Sequence, residues 1–174
     1  MYYRRIFAKG ATYFFTVNLA DRSSRLLVER IGDLRMVVGE VRGAHPFHIM
    51  AWVVLPDHLH AIWRMPDNDT DYPMRWGLIK AGFSRRIPRG ERVGASRKGK
   101  GERGIWQRRY WEHTIRDDTD LERHMDYVHY NPVKHGHARQ AADWEFSTFH
   151  RYVRLGWLPK DWGHDDDFKG NFGE

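Results

Sequence analysis

Cysteine is absent from all 174 residues. That excludes disulfides, cysteine-based zinc ribbons and thiol catalysis, and it is compatible with a reducing compartment. No apolar run approaches the ~18 residues of a membrane span. The opening stretch Met1-Tyr2-Tyr3-Arg4-Arg5 lacks the long apolar core of a secretory signal, so the cytoplasm is the expected location. The chain is also short for a (β/α)₈ barrel, which takes about 250 residues. This weighs against the barrel metallohydrolases. No internal repeat is visible, and the length suits one domain over 1–174.

What is present in excess is positive charge. The formal net charge is +6 with histidines neutral, and the sequence pI is about 9.7. Such a balance favours polyanionic partners, nucleic acid first among them. Eight of the basic residues (Arg85, Arg86, Arg89, Arg92, Arg97, Lys98, Lys100, Arg103) fall between Ser84 and Arg103, with four glycines and one proline. The stretch reads as a mobile basic loop suited to phosphate contacts that position rather than specify. A solvated linker is the competing reading. Asp165, Asp166 and Asp167 give the opposite balance near the end.

Hydrophobic periodicity predicts the elements. Ala11 to Leu19, with Tyr13, Phe14, Phe15 and Val17, reads as a buried first strand. Asp21 to Ser24 offers capping groups for a helix whose face is Leu27, Ile31, Leu34, Val38 and Val41. Gly43 and Pro46 stop it. Phe47–Leu55 and His58–Met65 form two strands joined by Pro56-Asp57, close enough for an antiparallel hairpin. A helix over Tyr72–Phe83 and a strand over Ile105–Ile115 complete the order strand, helix, strand, strand, helix, strand. That is the split βαβ plan of a ferredoxin-like α+β fold, an antiparallel sheet with helices on one face. Asp117 to Asn131 is a last helix, with Leu121, Met125 and Val128 as its buried stripe and Pro132 as its stop. An aromatic-rich C-terminal extension (Trp144, Phe146, Phe149, Tyr152, Trp157, Trp162) is expected to wrap the core.

Two groups of residues suggest chemistry. His58 and His60 are separated by one residue in a strand, so both imidazoles project from one face, about 7 Å apart along the backbone. A pair placed so can chelate one metal ion; it can equally be two polar residues facing solvent. On the last helix Tyr127 lies off the buried stripe. His124 at i−3 and Asn131 at i+4 share its side. Tyr130, three residues on, fits packing or base stacking, and His129, nearly opposite Tyr127, fits a structural role. Arg108, Arg109, Lys134 and Arg151 are further candidate phosphate contacts. Trp106, Tyr110 and Trp111 can stack on bases, with core packing expected for at least two of them.

His58-Leu59-His60, followed by Tyr127-Val128-His129-Tyr130-Asn131-Pro132-Val133-Lys134, resembles the single-tyrosine HUH transposases. The closest branch is the REP-associated tyrosine transposases. Tyr13-Phe14-Phe15-Thr16-Val17-Asn18, Trp106-Gln107 to His113 with Ile115-Arg116, Ser147 to Tyr152, and Asp161-Trp162-Gly163 resemble that branch as well. The likeness thus runs over nearly the whole chain, and the basic loop matches least.

This resemblance implies a catalytic core at 1–136 and an extension at 137–174. It implies a divalent metal, Mg²⁺ or Mn²⁺, held by His58, His60 and Asn131, where mobile-element relatives often carry Gln in place of Asn131. It implies Tyr127 as the nucleophile. The implied reaction cuts single-stranded DNA beside palindromic hairpins, leaving a 5′-phosphotyrosine and a free 3′-hydroxyl. Free phenol titrates near about 10, so the attacking oxygen needs activation. The branch includes monomers, and a tail covering a dimer edge favours a monomer over a homodimer. A catalytically idle nucleic-acid-binding domain is the alternative reading, and a small-molecule metallohydrolase a third.

Overall fold

Alternation along one strand decides the architecture of the computed structural model, which describes residues 10–163. In β1 (Thr12–Asn18), Tyr13, Phe15 and Val17 point to one face of the sheet and Phe14 to the other. Strand β1 pairs antiparallel with β3 (His58–Arg64), which pairs with β2 (His48–Val54); β4 (Trp111–Thr114) lies on the other side of β1. The order β2-β3-β1-β4 is the expected ferredoxin-like arrangement.

The first face is covered by two helices. A single turn, α1 (Leu26–Glu29), leads into α2 (Ile31–Ala44), which packs beside α3 (Tyr72–Arg86). Trp63 stacks on Trp76 at 4.2 Å between ring centroids, and Phe47 closes on Trp63 at 4.1 Å. Fully burying side chains of this size contributes roughly 1.5–3 kcal/mol each, so this layer is the main core. Asp71 caps α3 by accepting from Met74 N at 3.1 Å. The buried Arg75 is satisfied by Asp69 and by the carbonyls of His45, Pro46 and Asp71.

A further helix, α5 (Asp118–Lys134), lies against the opposite face, over Phe14, Ala51, Val53 and Ile62. Asp117 starts it by accepting from Asp120 N at 2.8 Å. Pro132 does not stop it. A proline that lacks its N–H leaves one carbonyl without a helical partner, but its fixed φ suits the helix, and the chain stays helical to Lys134. That extra turn puts Lys134 on the same side as Tyr127, seven residues away.

Two other expectations change. The Ser84–Arg103 segment is ordered rather than a mobile loop. Its first residues extend α3, and Ala95–Lys98 form the short α4. Arg103 pairs with Glu91 and donates to the carbonyls of Ser84, Ile87 and Pro88. Arg97 donates to the carbonyls of Arg103 and Trp106. These guanidiniums build the segment by tying down carbonyls that composition does not reveal. The fourth strand is shorter than Ile105–Ile115. Trp106 bridges to Leu19, but the chain then leaves the ladder until Trp111, because Lys80 draws the Gln107 and Arg108 carbonyls toward α3.

The C-terminal extension covers the exposed edge of β2. Val54 N donates to Phe146 O, Thr148 N to Trp52 O, and the Trp144 indole to Val54 O at 2.9 Å. A 3₁₀ turn (Ala141–Asp143) and α6 (Phe149–Arg154) follow α5, and the Tyr152 hydroxyl donates to Met50 O. An unpaired edge is a template for other strands, and this one is occupied. The acidic Asp165–Asp167 run lies outside the described residues.

The α2–α3 contact is close because Gly82 has no side chain. A Cβ there would sit 2.7 Å from Val37 Cγ1, a stiff β-branched group. Gly39 on α2 has nothing within 4 Å. Urea denaturation therefore separates the two: Gly39→Ala gains up to about 1 kcal/mol of helix propensity. Gly82→Ala loses about 1–3 kcal/mol to overpacking.

Candidate active site between strand β3 and helix α5

Strand β3 is buried on both faces from His58 to Trp63, so its histidines do not face solvent. His60 stands opposite Thr16 on β1 and Val53 on β2. Its ring lies 5.1 Å from that of His58. Each imidazole is anchored through Nδ1. His58 Nδ1 is 2.8 Å from Asp57 Oδ1. Burial pushes the Asp57 carboxyl up, but hydrogen bonds from His58 and Arg22 outweigh it and hold the group below the usual carboxylate range. An ionised carboxylate can only accept, so the proton of His58 belongs on Nδ1. His60 Nδ1 is 2.8 Å from Thr16 Oγ1. When the hydroxyl oxygen accepts from that nitrogen, Nε2 keeps its lone pair. Anchoring of one ring nitrogen by a carboxylate or hydroxyl is typical of metal-binding histidines.

Burial holds His60 well below its ordinary range, and the charges of His58, His135 and Lys134 push the same way. The ring is therefore neutral near pH 7, as a ligand must be. Asn131 is wholly buried against His60, where its side chain interacts with that ring, and neither amide atom has a further protein partner. A carbonyl oxygen in this position suits a cation.

Tyr127 is buried rather than off the packed stripe. Its ring meets Phe14 at 5.8 Å and His60 at 5.1 Å. The stripe is wider than three apolar residues because Phe14 and His60 supply a surface for an aromatic ring. Lys134 Nζ donates to the Tyr127 hydroxyl at 3.3 Å and lies 4.8 Å from the ring centroid. His135, at the C-terminal cap of α5, brings a further imidazole to 5.1 Å from His58.

The other named residues separate by position. Trp106 and Tyr110 pack against Phe83 and Trp76, whereas Trp111 is 40% exposed on β4. Tyr130 is buried. His129 meets Thr148 and rings of the extension, as a structural residue does. Arg151 donates to the Ile49 and Met50 carbonyls. Arg86 pairs with Glu40, and Arg108 with Glu102 at 2.8 Å. Arg85, Arg89, Arg92, Lys98, Lys100, Arg108 and Arg109 are exposed. Several of the basic residues border a cleft of about 680 Å³ between α3 and the 87–108 segment, and none of its lining residues comes from β3 or α5. Sequence reasoning missed His135, the anchors Thr16 and Asp57, and a cluster of His113, Asp120 and His124. The i, i+4 spacing of Asp120 and His124 was the available signal for the last.

A REP-associated tyrosine transposase of Escherichia coli K12 is 46% identical over 163 residues, covering 94% of this chain and 91% of that protein. A Haemophilus influenzae protein that bears the same family name provisionally is 44% identical over 168 residues, covering 96% of each. The solved structure of a REP-associated tyrosine transposase bound to a REP hairpin superposes with a TM-score of 0.82 at 44% identity, over 100% of this chain and 98% of that one. No protein-family model matches. The chain belongs to the REP-associated tyrosine transposase family. Among its described residues, no helix is long and apolar enough to cross a membrane.

The buried His129 sets a pH dependence. Burial, with the charges of Arg151 and His150, pushes it from 6.5 down to about 3. Between those values the unfolded chain binds a proton that the folded chain does not. The associated stability is whole above pH 6.5 and falls as pH drops toward 3, by up to about 1.4 kcal/mol per pH unit. Urea unfolding of His129→Gln should show a shallower dependence by about one proton in this window; equal slopes would contradict the assignment.

Proposed function

We propose that this protein cuts and rejoins single-stranded DNA beside palindromic hairpins in the cytoplasm, with Tyr127 as nucleophile. The observation that carries the reading is the position of the Tyr127 phenol. Its ring packs on His60 and its oxygen accepts from Lys134. The hairpin as substrate rests on the family relative solved with a REP hairpin.

His58, His60 and Asn131 would hold a divalent cation, Mg²⁺ or Mn²⁺. The anchored imidazoles and the buried amide beside them fit a mixed nitrogen and oxygen set with positions left open. A bound cation supplies Lewis-acid stabilisation of charge developing on a phosphate. The remaining work belongs to the chain. The Tyr127 oxygen forms a bond to phosphorus, the bond from phosphorus to the 3′ oxygen breaks, and the departing oxygen takes up a proton as the phenol loses one. Lys134 places positive charge on the attacking oxygen and stabilises negative charge that builds there. Helix α5 and Phe14 fix the ring, so attack starts from a defined geometry. The product ester conserves the energy of the cut bond, and the 3′-hydroxyl can reverse the step.

The exposed residues Arg85, Arg89, Arg92, Lys98, Lys100, Arg108 and Arg109 are assigned to the DNA backbone. Arg86, Arg97 and Arg103 act by shaping the segment that carries the others. The covered β2 edge favours a monomer, because it is closed to a partner strand.

A labelled hairpin oligonucleotide incubated with the protein and Mn²⁺ should yield protein-linked DNA on a denaturing gel. Tyr127→Phe should abolish the adduct while retaining binding. A nucleic-acid-binding domain without catalysis would give no adduct in either protein. Lys134→Ala should slow adduct formation by about 10²-fold, within the range of positioned charge and proton donors. A change in binding alone would instead return Lys134 to phosphate contact.

A further inference from the structure

A second group of ligand-type side chains lies on the far side of Phe14. The Phe14 ring is 5.6 Å from His60 and 4.9 Å from His124. His113 comes from β4, Asp120 from the first turn of α5, and His124 from the next turn. Asp120 Oδ2 lies 2.8 Å from His113 Nε2, and Asp120 Oδ1 lies 3.2 Å from His124 Nδ1. Taking one ligand atom from each residue, the three fall within 4.8 Å of one another. The two imidazoles stack nearly parallel at 4.7 Å between centroids.

We propose that His113, Asp120 and His124 form a second metal site, for a Zn²⁺-like cation, that ties strand β4 to the start of helix α5. Two imidazoles and one carboxylate are the donor set of a three-residue zinc site with water in the fourth position. Asp120 and His124 stand at i, i+4, a spacing that turns two ligands to one side of a helix. The carboxylate stands between the two imidazoles, one oxygen 2.8 Å from His113 Nε2 and the other 3.2 Å from His124 Nδ1, close enough for one small cation to gather a donor from each residue. The carboxylate is buried, and the side chain is fixed by accepting from Arg116 N at 3.0 Å. Without a cation the same atoms share protons: His113 Nε2 with Asp120, and His124 Nδ1 with the Asp120 carbonyl at 2.8 Å. Binding moves each proton to the other ring nitrogen, so the metal-bound and hydrogen-bonded states exclude each other. The Arg116 guanidinium, 3.4 Å from Asp120 Oδ2 on a side chain that is 75% exposed, swings into solvent.

This site differs from the proposed catalytic one in donors and in place. His124 lies three residues before Tyr127, so the clip would steady the turn of α5 from which the nucleophile projects. The proposal does not depend on how Tyr127 reacts.

Cobalt tests it, because tetrahedral Co²⁺ absorbs strongly in the visible. Full-length protein is stripped with chelator, and Co²⁺ is titrated into it and into the His58→Ala, His60→Ala double variant. The double variant is expected to retain one equivalent with tetrahedral bands that Zn²⁺ abolishes. His113→Gln or His124→Gln, made separately in that background, should remove it. If the double variant fails to fold, the wild-type protein reads the same quantity as a fall of one bound equivalent in His124→Gln. Thermal unfolding of the His58→Ala, His60→Ala double variant gives a second readout: Zn²⁺ raises its midpoint with His113 and His124 present, and not with either replaced. A double variant that folds and binds no Co²⁺, or bands that survive both glutamine substitutions, would overturn the proposal.

Discussion

The candidate site depends on two anchored imidazoles. Asp57 holds one ring of β3 and Thr16 the other, each through Nδ1. The anchors come from the pairing of the sheet itself. Thr16 faces His60 because β1 and β3 are in register, and Asp57 sits in the tight connection that starts β3. A one-residue slip would turn both rings into the layer of α2 and α3. The apolar alternation of β1 and β3 that builds the main core therefore also determines where the histidines point.

Helix α5 gives this arrangement its second half. It lies on the sheet face that α2 and α3 leave open, and its contacts with Phe14 and Ile62 set its depth. Tyr127, Asn131 and Lys134 then meet the histidines from one side of one helix. Its length matters because Lys134 reaches the phenol only if the helix continues past Pro132. The extension works at a distance from this site. By covering the β2 edge and surrounding His129, it packs the side of α5 that faces away from the histidines.

Much of this was legible in the residues. Runs rich in aromatic and β-branched residues marked β1 and β2, alternation marked β3, and the spacing of Leu34, Val38 and Val41 marked α2. The pair His58 and His60 and the i, i+4 pair Tyr127 and Asn131 were visible as spacings, and together they pointed to the family that the relatives establish. Illegible features depended on partners remote in sequence. The carbonyls that Arg97 and Arg103 hold are invisible in composition, so an ordered segment looked like a loop. Lys80 shortens β4 from another layer. The burial of Tyr127 depends on Phe14, more than a hundred residues earlier. The rule that proline ends helices failed at Pro132 because the lost hydrogen bond is a local cost, and the tertiary contacts of the last turn outweigh it.

The central claim is that the anchored histidines and Asn131 share one cation beside the Tyr127 phenol. Crystals grown with Mn²⁺ and measured for anomalous scattering test it directly. The account predicts a peak bounded by His58, His60 and Asn131, with the Tyr127 side chain next to it. A well-ordered map with these three side chains in place and no peak between them would contradict it.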